Sequence, residues 1–163
     1  MLVRIAVIHP RFLKGGGVDT VIHEVCKRLH HKYNISIFTT EATFKSHEVQ
    51  IHLLGDTIKD GYQTRILWTL IHMLTHQGMF KDYSLLWIHS IPLIPAALKI
   101  KKRFRVPILF TFHGIRTYPD PRLIIHKLVA KLTLSRVDRV VGVSDFVTRE
   151  AEEYGAETVR IYN

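Results

Sequence analysis

The chain has 163 residues, 47% hydrophobic and 23% charged, enough for one domain with a packed core. Its one cysteine, Cys26, excludes a disulfide framework and fits a reducing, cytoplasmic setting. A formal net charge of +9 favours anionic partners, whether nucleic acid, a phosphorylated ligand or an anionic membrane surface.

Residues 2–8 are apolar except for Arg4, the pattern of a parallel strand buried on both faces. Gly15, Gly16 and Gly17 follow. Residues 18–32 then repeat apolar side chains in steps of three and four (Val18, Val21, Ile22, Val25, Cys26, Leu29), one face of a helix. In that pattern Cys26 reads as a small core residue rather than a nucleophile. Residues 35–40 and 49–54 read as strands, 55–62 as a loop, and 63–77 as a strongly apolar helix. Residues 85–89 form a strand and 91–103 a helix, with Pro92 in its first turn. A strand over 108–112 leads into a loop over 113–120 and a helix over 121–135. Strand 139–143, helix 145–154 and strand 158–161 complete the chain. No run reaches the ~18–20 apolar residues of a membrane span.

This alternation predicts an α/β fold, a Rossmann-like doubly wound parallel sheet forming a single domain over 1–163. Ligands in such sheets lie beyond the carboxyl ends of the strands. The residues in that position are His9 to Asp19, Thr40 to Thr43, His89 and Ser90, His113 to Tyr118, and Ser144.

Several phosphate and metal motifs are missing. In G-x-G-x-x-G the third glycine would fall on Thr20, and neither a P-loop, H-E-x-x-H, C-x-x-C nor G-x-S-x-G occurs. What remains is a glycine run at a helix N-terminus. Its bare amides and the positive end of the helix dipole favour a phosphate. The competing reading is that the glycines only relax a tight strand-to-helix connection.

Three stretches carry a resemblance: KGGGVDTVIHEV after the first strand, TFHG at residues 111–114, and RVVGVSDFVTREAEEYGAETVRIYN at the end. In order and spacing they resemble the N-terminal domain of retaining glycosyltransferases with the two-domain GT-B fold. The group most similar is glycosyltransferase family 4, related to glycogen and sucrose synthases. The resemblance implies one half of a GT-B fold, the acceptor side, with a C-terminal donor-binding domain absent from this chain. It implies transfer of a hexose from a nucleotide-sugar donor to a glycan or lipid-linked acceptor, with the fragment inactive alone. The alternative is a non-catalytic binding module, or a subunit of a split glycosyltransferase, that holds an anionic acceptor.

By the same resemblance, Gly15, Gly16 and Gly17 lie near the donor diphosphate. Asp19 stands where the family often has Glu. His113 is the candidate catalytic residue, contacting donor sugar or acceptor, and Gly114 allows close backbone approach. Ser144 and Arg149 map to the interdomain cleft, although Ser144 is equally placed to cap a helix. Arg116, Tyr118 and Arg122 are candidate acceptor contacts, with His89 a further cleft residue.

His9, His89 and His113 each follow a strand and converge on one edge. Such a cluster lacks the local pair and carboxylate second shell of a three-His metal site. No metal or other cofactor is expected, in keeping with the resemblance. The basic run Lys99, Lys101, Lys102, Arg103 and Arg105 reads as a solvated helix end or as a contact for an anionic membrane, and the helix over 63–77 as buried or lying against acyl chains. No nucleic-acid module accompanies the charge, so nucleic acid is not an expected partner. The expected location is cytoplasmic, peripheral to the membrane at most.

Overall fold

The computed structural model describes residues 3–43, 49–55, 61–115 and 123–161. Seven strands run in parallel: β1 (Val3–Ile8), β2 (Tyr33–Thr39), β3 (Gln50–Leu53), β4 (Leu85–Ile88), β5 (Ile108–Phe112), β6 (Arg139–Gly142) and β7 (Thr158–Arg160). Their order across the sheet is β3-β2-β1-β4-β5-β6-β7. The described helices are α1 (Gly17–Leu29), α2 (Tyr62–Thr75), α3 (Ile94–Phe104), α4 (Leu123–Thr133) and α5 (Asp145–Glu153). The strand order reverses between β1 and β4. That switch point opens a crevice at the carboxyl edge of a doubly wound sheet, where ligands bind.

The apolar strand runs serve two cores at once, because alternate side chains leave a strand on opposite faces. Ala6 and Ile8 of β1, Leu86 and Ile88 of β4, and Phe110 and Phe112 of β5 pack on the side that carries α2 to α5. Ile5 and Val7 of β1, Ile35 and Ile37 of β2, and Trp87 of β4 face the other side with Ile22 and Cys26 of α1. Cys26 is 2% exposed, and burial pushes its thiol up to about 12. It remains a protonated core residue, as its helical spacing predicts.

The helix ends differ from the sequence reading in small ways with local causes. The helix read over 63–77 stops at Thr75, and a 3-10 turn at Gln77–Phe80 follows. The helix read over 91–103 begins as a 3-10 turn at Ile91–Leu93, with α3 proper starting at Ile94 and Pro95 in its first turn. It ends where Arg105 takes the left-handed conformation, φ 59°. Pro107, two residues further on, cannot continue it.

Because α1 is the described helix on its side of the sheet, β4 to β6 are poorly covered there. An apolar groove of about 760 Å³ results, lined by Ile5, Leu85, Trp87, Leu109, Thr111, Val141 and neighbours of α1. It is larger than the crevice described next, but only Glu24 and Arg28 among its lining residues carry charge. It offers shape without chemistry.

Candidate functional site

The segment between β1 and α1 is fixed before it reaches the glycines. Phe12 is fully buried and bridges in parallel to Ala42. Its amide donates to the Glu41 carbonyl at 2.8 Å, and the Thr43 amide donates to the Phe12 carbonyl at 3.0 Å. The Thr40 hydroxyl donates to the Pro10 carbonyl at 2.6 Å, and the Lys14 amide to Thr43 Oγ1 at 2.9 Å. The loop after β2 therefore fixes residues 10–14 beside it. Arg65 of α2, largely buried, anchors that loop from behind by an ion pair with Glu41 at 3.2 Å.

The three glycines have different reasons. Gly15 sits at φ 98°, a conformation that L side chains rarely adopt. Gly16 is the N-cap of α1, and a Cβ there would meet Asp19 Oδ2 at 2.1 Å. Gly17 meets nothing within 4 Å. Gly15 thus makes the turn, Gly16 leaves room for Asp19, and Gly17 keeps the helix end open. No side chain caps α1. Its first amides are the kind of uncapped donors that suit an anion.

Asp19 is 3% exposed in the first turn of α1, its Oδ1 3.3 Å from His9 Nε2. His9 is 5% exposed and follows β1 directly. The His9 and His89 rings meet edge to face at 6.0 Å, joining the end of β1 to the end of β4 across the switch point. His89 Nδ1 lies 3.3 Å from His113 Nε2, which brings in the end of β5. The three histidines thus converge as their positions after strands predict. Trp87 packs against His89 at 4.6 Å with the rings tilted by 52°, and its indole N–H donates to Thr111 Oγ1 at 2.8 Å, tying β4 to β5.

Burial sets the protonation of His89 and His113. It pushes His89 well below the usual histidine range, with the nearby His9 and His113 rings adding to the effect. Burial, and then His9, lowers His113 to about 4. Both rings are neutral at pH 7, so His113 offers a hydrogen bond rather than a charge. Among the described residues, His9 Nδ1, Asp19 Oδ1 and His89 Nε2 are buried without a hydrogen-bond partner, Asp19 Oδ1 having only the ion-pair approach to His9 Nε2. Among the described residues, no group of three or more His, Cys, Asp or Glu side chains is placed to hold a metal ion.

A crevice of about 190 Å³ opens where these elements meet, lined by His9, Arg11, Gly16, Gly17, Val18, Asp19 and Tyr62. Arg11 brings a cation to it, packed 5.6 Å from the centre of the Tyr62 ring. That volume suits a phosphate group and falls short of the ~300–1,000 Å³ of a typical small-molecule pocket.

The other predicted residues divide. Gly114 takes φ 90° straight after His113, so the chain turns sharply at the edge of β5. Ile115 follows, and its amide donates to Glu150 Oε2 at 3.0 Å. Ser144 caps α5, its hydroxyl accepting from the Val147 amide at 3.3 Å. Arg149 lies exposed on α5. Arg116, Tyr118 and Arg122 fall outside the described residues.

Sequence reading placed Arg11 within the edge stretch His9 to Asp19 without giving it a role, and missed Tyr62 and Glu150. Glu150 was the most accessible of these: helical spacing puts it on the buried face of α5 with Val147 and Ala151, an unusual place for a carboxylate without a task. Tyr62 comes from the far end of a loop, and no local pattern links it to residue 9.

No curated protein matches this sequence closely enough to stand as a relative. Solved structures do match its fold. Sucrose-phosphate synthase from Thermosynechococcus elongatus superposes with a TM-score of 0.76 at 16% identity, over 98% of this chain and 48% of that one. Anabaena HepE in complex with UDP and glucose gives 0.71 at 12% identity, over 99% and 44%. The lipopolysaccharide outer core galactosyltransferase WaaB gives 0.64 at 16% identity, over 98% and 45%. The chain spans about half the length of these proteins, and its fold is that of one half of a GT-B glycosyltransferase. Residues 15–163, nearly the whole chain, match Glycosyltransferase Family 4, and the chain belongs to that family.

Proposed function

We propose that the chain is the acceptor-side domain of a retaining glycosyltransferase of hexosyltransferase type. It moves a sugar from a nucleotide-sugar donor to a glycan or lipid-linked acceptor, together with a donor-binding domain that faces the carboxyl edge of its sheet. The observation that carries this reading is the convergence of the glycine loop with His9, His89 and His113 at the switch point. UDP and glucose in the HepE structure favour a nucleotide-sugar as donor. The small crevice holds a phosphate and leaves the rest of such a donor to the second domain, so the fragment turns over nothing by itself.

Each group then has a role. The amides at the start of α1 face the departing diphosphate, where negative charge grows in the transition state. Arg11 adds a cation on the same side. His113, neutral and held by His89, hydrogen-bonds a sugar or acceptor hydroxyl. Of the two carboxylates buried near the edge, Glu150 accepts the Ile115 amide and Asp19 lies at ion-pair distance from His9, and the proposal gives neither the part of a nucleophile. That favours a route on one face of the sugar. The bond from the anomeric carbon to the phosphate oxygen breaks, the bond to the acceptor oxygen forms on the same side, and the acceptor proton passes to the departing phosphate. The proposed reaction uses no metal.

The test is release of nucleoside diphosphate from a panel of UDP-, ADP- and GDP-hexoses by the protein carrying both halves, with the 163-residue chain as control. His113→Ala is expected to lower turnover by about 10²-fold or more, with the circular dichroism spectrum unchanged. Turnover like the wild type in that variant removes His113 from the mechanism. Absence of turnover with every donor by the wild type removes the proposal.

A further inference from the structure

The crevice at the glycine loop holds more than donors for an anion. Asp19 and His9 line it at 3% and 5% exposure. Among the described residues, Asp19 Oδ1 and His9 Nδ1 are buried there without a hydrogen-bond partner. Buried polar atoms are rarely left in that state, so a ligand atom that matches them completes the site.

The pair itself says what kind of atom that is. An ionised carboxylate only accepts hydrogen bonds. Asp19 Oδ1 faces His9 Nε2 at 3.3 Å, and the tautomer that fits carries its proton on Nε2. His9 Nδ1 is then a lone pair, so both unpartnered atoms are acceptors. Arg11 packs on the Tyr62 ring and forms no ion pair with Asp19 among the described residues. Donors stand opposite: Arg11 itself, and the first amides of α1, which no side chain caps. The Gly16 carbonyl is already taken by the Thr20 amide at 2.9 Å and the Thr20 hydroxyl at 2.8 Å. A ligand that fits must accept on one side and donate on the other.

We propose that Asp19 is a specificity-determining residue, which admits a phosphate group carrying a proton and rejects an anion carrying none. The role rests on the crevice receiving a phosphate, as the proposed function has it. A P–O–H group donates to Asp19 Oδ1, a short charge-assisted bond, while its other oxygens accept from the amides and Arg11. Sulfate has a similar size and no proton to donate at neutral pH. Its oxygens meet a buried carboxylate, and the two like charges repel. A site built to bond an O–H rejects the analogue lacking it, because its own buried group stays unpaired.

In the proposed reaction the donor phosphate is esterified on both sides and carries no proton. As the anomeric bond breaks, the acceptor O–H bond breaks too, and the proton joins the departing phosphate oxygen. Asp19 gains its hydrogen bond at that point and not before. Such a bond favours the departing group over the bound donor, which is where an interaction speeds the reaction.

The experiment is nuclear magnetic resonance titration of the isotope-labelled 163-residue chain with inorganic phosphate, sulfate and monofluorophosphate at pH 7 and matched ionic strength. In monofluorophosphate a fluorine replaces the hydroxyl. The amides of Gly16, Gly17 and Val18 report binding. Phosphate is expected to bind about tenfold or more tightly than either of the others. Asp19→Asn, whose amide can donate, should gain binding of sulfate and monofluorophosphate and bring the three anions to similar affinity. A purely structural role for Asp19 would not produce that gain. Equal binding of all three by the wild type overturns the proposal and leaves the crevice as a phosphate site. A phosphate preference that persists in Asp19→Asn also overturns it, since the discrimination then lies elsewhere. No shift at the glycine loop with any of the anions removes the phosphate reading and the role of Asp19 with it. The comparison within the wild type needs no variant, so it decides the matter even where Asp19→Asn fails to fold.

Discussion

His113 carries a protonation state that stability measurements can reach without any substrate. Burial and the His9 ring hold it near 4 in the folded chain, against about 6.5 when unfolded. Between those values the unfolded chain binds the extra proton, so folding weakens as pH falls from 6.5 towards 4 and is unaffected by this group above 7. The shift corresponds to something on the order of 3 kcal/mol. Urea unfolding at pH 7.0, 5.5 and 4.5 should show the wild type losing stability more steeply than His113→Gln. His89 shifts in the same direction, chiefly through its own burial, and remains in both proteins, so the difference between their slopes reports His113 together with its smaller effect on His89. Equal slopes would mean that His113 is not held neutral by its surroundings.

The same residue shows what the sequence made legible. TFHG placed His113 at the end of a strand, and the alternation of strands and helices put His9 and His89 at the same edge. The contacts that neutralise the rings were not legible, since they depend on how deeply each strand end is covered. The glycine run was half legible. Spacing excluded two common phosphate motifs, but separating the roles of Gly15 and Gly16 needed a φ angle and the position of Asp19.

At the scale of elements, Ile115, just beyond the end of β5, is held by α5. Glu150 reaches from the helix to accept the Ile115 amide, and Ser144 fixes where that helix starts. Removing a buried acceptor from a paired amide costs about 1–3 kcal/mol. Glu150→Ala should destabilise the chain by that amount and speed hydrogen exchange at the Ile115 amide, while Arg149→Ala on the exposed face of α5 should leave both unchanged. Unchanged exchange in Glu150→Ala would mean that Ile115 is held by other contacts. The strands were readable because buried parallel strands are continuous apolar runs. The open face of α4 was not, because LIIHKLVAKLT places apolar residues around most of the helix and periodicity alone does not say which of them the core takes.

For the whole molecule, the switch between β1 and β4 puts one crevice at the sheet edge, and α2 to α5 form a helical layer on one side. The larger apolar groove lies on the opposite side of the sheet from that layer and has little polar lining. Charge balance pointed to anionic partners from the sequence onwards, and the proposed function assigns one of them, a phosphate, to the crevice. The central claim is that the crevice, and not the groove, receives the diphosphate of a sugar nucleotide. Titration of the isotope-labelled chain with UDP and with inorganic diphosphate, followed by amide and imidazole resonances, tests it most directly. Both ligands are expected to shift the amides of Gly16, Gly17 and Val18 and the ring signals of His9. Shifts confined to Val21, Val25 and Leu109 along the groove, or no shifts at the glycine loop at millimolar ligand, would contradict it.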